Sequence, residues 1–143
     1  MTPTENIAYF NGELKPESQV SISIRDRGYL YGDAVFDATR TFNGAPFKLS
    51  RHIHRLYDSL RYLRIDVGME MDEMERWSRE VVQHNYPLLP PNQDLWVMQR
   101  ISRGLDSTGP NDREGPTVLI ETHAIPFARR PPRYMDGARV IPP

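Results

Sequence analysis

The sequence contains no cysteine. That excludes disulfides, thiolate metal sites and a cysteine nucleophile. Lysine is nearly absent too: Lys15 and Lys48 stand against sixteen arginines. Side-chain amine chemistry is confined to two positions, while forked donors suited to phosphate and carboxylate are plentiful. A genome-wide preference for arginine accounts for the ratio equally well. No apolar run approaches the roughly 20 residues of a membrane span. The opening MTPTENIAYF has no basic segment followed by an apolar one, so no signal peptide is read and a cytoplasmic location is expected. A net charge of −1 gives no bulk attraction to nucleic acid or acidic lipid, and neither is expected as a partner. Among the four histidines, His52 and His54 lie two apart and face different ways on a helix, so no metal site is expected. Gly28, Gly32 and Gly104 fit neither common phosphate loop, and there is no internal repeat.

What remains is enough for one core: 143 residues, 38% apolar and 26% charged. Residues 7–10 read as a strand, turned by Asn11-Gly12 into a return. Residues 20–24 alternate apolar and polar, the pattern of a half-buried strand. Two helices follow the centre of the chain. Over 51–65, Ile53, Leu56, Leu60 and Leu63 form one apolar stripe, with Ser50 as the expected cap. In the second, Asp72 and Glu75 have capping-box spacing, Met74, Trp77, Val81 and Val82 give the buried face, and Pro87 ends it. Strands are expected over 95–103 and 117–124. Residues 125–136 hold three prolines and three arginines without periodicity, a linker signature. The order of elements predicts an α+β fold, an antiparallel sheet with two helices packed on one face.

The stretch from Asp26 to Leu56 organises the rest: DRGYLYGDAVFDATRTFNGAPFKLSRHIHRL. A glycine-bearing loop over 26–32 leads into a strand over 34–42. Asn43-Gly44 turns it, residues 46–49 return, and a helix follows. Asp26-Arg27-Gly28-Tyr29, Gly32-Asp33, Val35-Phe36-Asp37, Asn43-Gly44, Phe47 and His52-Ile53-His54-Arg55-Leu56 come in the order and spacing of one family. The chain resembles the class-IV aminotransferases, the fold-type-IV pyridoxal-phosphate enzymes. The resemblance extends more loosely from about residue 7 to 143 and covers that family's small N-terminal domain.

The resemblance implies pyridoxal 5′-phosphate as cofactor. It also implies an amino-acid or amine donor, a 2-keto acid acceptor and a homodimer. It gives Arg55 the cofactor phosphate, for which a guanidinium supplies charge and forked donors. From spacing alone, Arg55 is a solvated arginine beside an apolar stripe. The resemblance places Tyr31, Phe36 and Arg40 on the substrate side, in a pattern closer to the branched-chain members. Trp96 matches an aromatic pocket residue of that type, whereas Met98 departs from its arginine. Arg103-Gly104 instead matches the D-amino-acid type, where the arginine holds the substrate carboxylate. The two subtype signals disagree.

The family's Schiff base needs a lysine, and neither Lys15, in a polar turn, nor Lys48, ahead of the helix, matches its position. The chain is therefore expected to hold no catalytic residue and to be inactive alone. Residues 1–125 are expected as the small domain, 126–137 as a linker and 138–143 as the start of a catalytic domain. A lyase of the same fold, similar to aminodeoxychorismate lyase, is the alternative within enzymes. A non-catalytic binding domain is the alternative outside them.

Overall fold

A computed structural model describes residues 5–105, 115–127, 131–137 and 139. Strands β1 (Ile7–Phe10) and β2 (Glu13–Pro16) form the first hairpin. Helix α1 (Arg27–Tyr31) precedes β3 (Ala34–Phe42) and β4 (Ala45–Pro46). Helices α2 (Leu49–Leu63) and α3 (Met71–Asn85) follow, then β5 (Leu95–Ser102), β6 (Thr117–Ala124) and α4 (Pro131–Asp136). The strands make one six-stranded sheet in the order β2-β1-β6-β5-β3-β4, antiparallel throughout. Asn43 (φ 50°) and Gly44 (φ 78°) turn β3 into β4, the positive values a tight hairpin requires.

Both long helices cover the same face, as the sequence predicts. Helix α2 packs on β3, while α3 spans β1, β6 and β5. Leu49, Ile53, Leu56 and Leu60 of α2 meet Met74, Val81 and Val82 of α3 over Val97, Ile101 and Ile120. Trp77 is only partly buried and tilts against Tyr9, ring centroids 5.0 Å apart.

Several local expectations change. Residues 20–24 form no strand: Ile22 and Ile24 are exposed, and the sheet is complete without this segment. Alternation makes a strand only where a neighbour offers a ladder. The expected loop over 26–32 is helical, because Asp26 Oδ1 accepts the Gly28 N–H at 2.8 Å and caps α1. Helix α2 starts earlier than expected. The backbone carbonyl of Lys48, a residue at φ 52°, accepts the Arg51 and His52 N–H groups, so Lys48 takes the place expected of Ser50. Helix α3 is preceded by Glu70, which leaves Asp72 and Glu73 in a first turn where acids favour the helix dipole. Lys15 stands on β2 rather than in a turn. The stretch read as a linker contains α4. Of the strand expected from residue 138, only 139 is described, and the rest lies outside the described residues.

One polar pin joins the helix layer to the sheet. Buried Asn85 accepts the Ile7 N–H at 2.8 Å and donates Nδ2 to the Ile7 carbonyl and to Thr122 Oγ1, both at 2.8 Å. Replacing Asn85 with alanine strands these groups at the start of β1 and on β6. The expected cost is about 1–3 kcal/mol, read from the denaturation midpoint. An unchanged midpoint contradicts the pin.

Candidate functional site

Strand alternation divides β3. Val35, Asp37, Thr39 and Thr41 face the helices, and Phe36, Ala38, Arg40 and Phe42 face away. A carboxylate on the inner face needs compensation, since an unpaired buried charge is costly. Asp37, only 3% exposed, finds it on α2. Arg55 donates Nε to Oδ2 at 2.7 Å and Nη2 to Oδ1 at 2.8 Å, a forked pair. His52, one turn earlier, places Nδ1 2.8 Å from Oδ1, and the Ala38 N–H donates to Oδ1 at 2.7 Å. Burial alone would raise the Asp37 carboxyl. The Arg55 and His52 hydrogen bonds outweigh it and hold the group below the usual carboxylate range. The same pair raises Arg55 further.

The far edge of the Arg55 guanidinium remains open. Its side chain is 67% exposed, and Nη1 has no hydrogen bond among the described residues. Helix α2 lies over β3, the outermost long strand, which β4 covers only at Thr41 and Phe42. Arg55 therefore presents free donors near an uncovered sheet edge.

A second cluster closes the end of the sheet. Arg103 donates Nε and Nη2 to Asp33 at 2.7 and 3.2 Å. It also donates to the Leu63 carbonyl at 2.9 Å and the Arg64 carbonyl at 3.1 Å, where α2 ends. Arg27 Nε reaches Asp33 at 3.0 Å. The Arg103 hydrogen bond leads the causes that lower the Asp33 carboxyl. Most of the Arg103 donors are thus engaged in a clasp between β5, α1 and the α2 terminus.

The outward sheet face brings four of the expected substrate residues together. Cross-strand register sets Phe36 against Arg100, Ala38 against Met98 and Arg40 against Trp96. Arg40 lies over the Phe42 ring at 3.8 Å and donates Nε to the Thr41 carbonyl at 3.2 Å. Arg100 donates Nε to Glu121 at 2.6 Å. A cavity of about 590 Å³ opens beside Phe36 and Arg100, with Ile22, Ile24, Tyr29 and Leu119 in its wall. Tyr31 stands apart at the end of α1, exposed, with the Arg27 guanidinium 5.4 Å over its ring. Arg103 does not line this cavity and is held instead at the end of α2, while Arg55 lies on the helix side of the sheet with Asp37.

Asp33 and Asp37 both lie within the family motif, but their partners are distant in sequence and the sequence alone assigns them no role. The usable signal was the alternation that puts Phe36 outward: it forces Asp37 inward, towards the helix carrying His52 and Arg55.

The model of the family described as amino-transferase class IV matches residues 34–140. The chain belongs to the class IV aminotransferases. It is 34% identical over 134 residues to a putative branched-chain-amino-acid aminotransferase of Methanocaldococcus jannaschii, covering 93% of this chain and 44% of that protein. It is 29% identical over 132 residues to a D-alanine aminotransferase of Bacillus licheniformis, covering 92% and 45%. The chain thus spans less than half the length of either relative. Among solved class IV folds, the branched-chain amino acid aminotransferase of Escherichia coli superposes with a TM-score of 0.71 at 23% identity, over 84% of this chain and 41% of that one. A second branched-chain amino acid aminotransferase, solved with pyridoxamine 5′-phosphate, gives 0.69 at 22%, over 83% and 39%.

The Asp33 clasp has a pH signature. A carboxyl held below its unfolded value stabilises the fold above that value, and the stability is lost as pH falls through the folded value. Thermal stability should therefore fall below about pH 4. Asp33→Asn should lower the midpoint at neutral pH and flatten that acid loss. A variant with the same acid slope as the parent contradicts the assignment.

Proposed function

We propose that this chain is the small N-terminal domain of a pyridoxal-phosphate-dependent aminotransferase that moves an amino group between an amino acid or amine and a 2-keto acid. Family membership supports the reaction class. The observation that carries the role of this domain is Arg55, pinned on one edge by Asp37 and open on the other. A phosphate dianion needs charge and forked donors, and the open edge offers both. The donor set therefore fits the cofactor, with Arg55 as its phosphate anchor. Pyridoxal phosphate, when bound, supplies the electron sink that lets an α-carbon release its proton.

The rest of the domain shapes the pocket in this proposal. Phe36, Trp96 and Met98 wall the substrate side, and Arg40 offers a cation from the same face. We assign Tyr31 and Arg103 to the substrate side on the family pattern alone, with Arg103 also the clasp that holds α1 to β5 and the end of α2. We place the catalytic lysine outside residues 1–143. Lys15 is paired with Glu13 at 2.5 Å on β2, and Lys48 is exposed at the head of α2. In this scheme residues 1–125 are the small domain, 126–137 the linker and 138–143 the entry to a catalytic domain. The exposed apolar side chains Ile22, Ile24 and Tyr29 suit a homodimer in which the outward face is covered.

A coupled assay tests the reaction. The complete enzyme should need a keto-acid acceptor for turnover, and product formation without one would identify a lyase instead. For the anchor, Arg55→Ala removes a charge-assisted contact of about 1.5–3 kcal/mol. That corresponds to roughly one to two decades in cofactor affinity, measured by titrating the apo-enzyme with pyridoxal phosphate. Unchanged affinity removes Arg55 from the site.

A further inference from the structure

Asp37 poses a physical question. A carboxylate beside an anion site lowers the local positive potential, which by itself weakens anion binding. Yet Asp37 is buried and takes both a forked arginine and a histidine. We infer that Asp37 is a positioning residue for the cofactor phosphate: it fixes Arg55 by one edge of the guanidinium so that the opposite edge faces the anion. The inference rests on the phosphate-anchor role proposed for Arg55.

Three observations support pinning over charge cancellation. First, Arg55 leaves α2 on an exposed side, and a free arginine there would lose much rotamer freedom on binding an anion. The fork to Asp37 removes that freedom beforehand. Second, the carboxylate is fully engaged on its own side. Oδ1 lies 2.7–2.8 Å from the Ala38 N–H, His52 Nδ1 and Arg55 Nη2, and Oδ2 takes Arg55 Nε at 2.7 Å. An anion on the outer edge is separated from it by the width of the guanidinium. Third, a carboxylate only accepts, so His52 Nδ1 carries the proton in this contact. That donor bond holds Asp37 in place from the same helix that presents Arg55.

The two effects have opposite signs, and the sign is measurable. Pyridoxal phosphate affinity is titrated by absorbance in the complete enzyme and in Asp37→Asn, Asp37→Glu, Arg55→Ala and the Asp37→Asn/Arg55→Ala double variant. Inorganic phosphate competition is read alongside as a probe of the anion site alone. Pinning predicts about tenfold weaker cofactor and phosphate binding in Asp37→Asn, with part of the loss restored in Asp37→Glu. In the Arg55→Ala background, Asp37→Asn should cost nothing further, because the side chain it positions is gone. Unchanged or tighter binding in Asp37→Asn overturns the inference. So does an additive loss in the double variant, which marks a general effect on the fold. Unchanged binding in Arg55→Ala would instead overturn the anchor role itself, and the inference with it.

Discussion

A charge set on the inner face of a sheet needs a partner, and in this domain that requirement fixes the geometry of the candidate site. Asp37 lies between apolar and hydroxyl neighbours on β3, with α2 above it. Breaking such a pair leaves an uncompensated buried charge, which is costly. The arrangement is therefore stable only with Arg55 and His52 turned inward at one edge. The apolar stripe of Leu49, Ile53, Leu56 and Leu60 sets where α2 lies, and the Asp37 pair ties one exposed arginine of that helix to the strand beneath. Packing supplies the energy, and the ion pair supplies the direction.

The site follows from the two-sidedness of a strand. Phe36 and Asp37 are neighbours in sequence and point to opposite faces. One builds the outward wall with Trp96, Met98 and Arg40, and the other orders Arg55 behind it. β4 is only two residues long and leaves most of the outer edge of β3 uncovered, so the two faces meet there. The Asp33 clasp at the other end of β3 holds α1 and the α2 terminus to β5. β3 is thus anchored at its middle and near its start by carboxylates that each gather a forked arginine.

The fold was largely legible in the sequence, because periodicity reports burial directly. The 34–42 and 117–124 strands, both hairpin turns and the stripe of α2 stand where the residues indicate. The departures share a cause. Residues 20–24 alternate correctly but have no neighbour in the sheet, and alternation carries no information about neighbours. The start of α2 is set by the backbone of Lys48 in the left-handed region, which competes with Ser50 for the cap position. For the candidate site, the family pattern pointed to Arg55, Phe36, Arg40, Trp96 and Met98, of which the last four share the outward sheet face. What it left out were the acids. Asp33 and Asp37 act through residues distant in sequence, Arg103 and the His52–Arg55 turn, and only the packed sheet brings them within hydrogen-bond distance. Arg103 shows the converse: its position beside Gly104 pointed to a substrate, and its donors are engaged by Asp33 and the end of α2.

The central claim is that Arg55 bridges a buried carboxylate and a bound phosphate. A crystal structure of the complete enzyme with pyridoxal phosphate tests it most directly. The prediction is a phosphate oxygen within about 3 Å of the outer edge of the Arg55 guanidinium, with both Asp37 contacts retained on the inner edge. A phosphate held by other residues, or an Arg55 that abandons Asp37 to reach it, would contradict the claim.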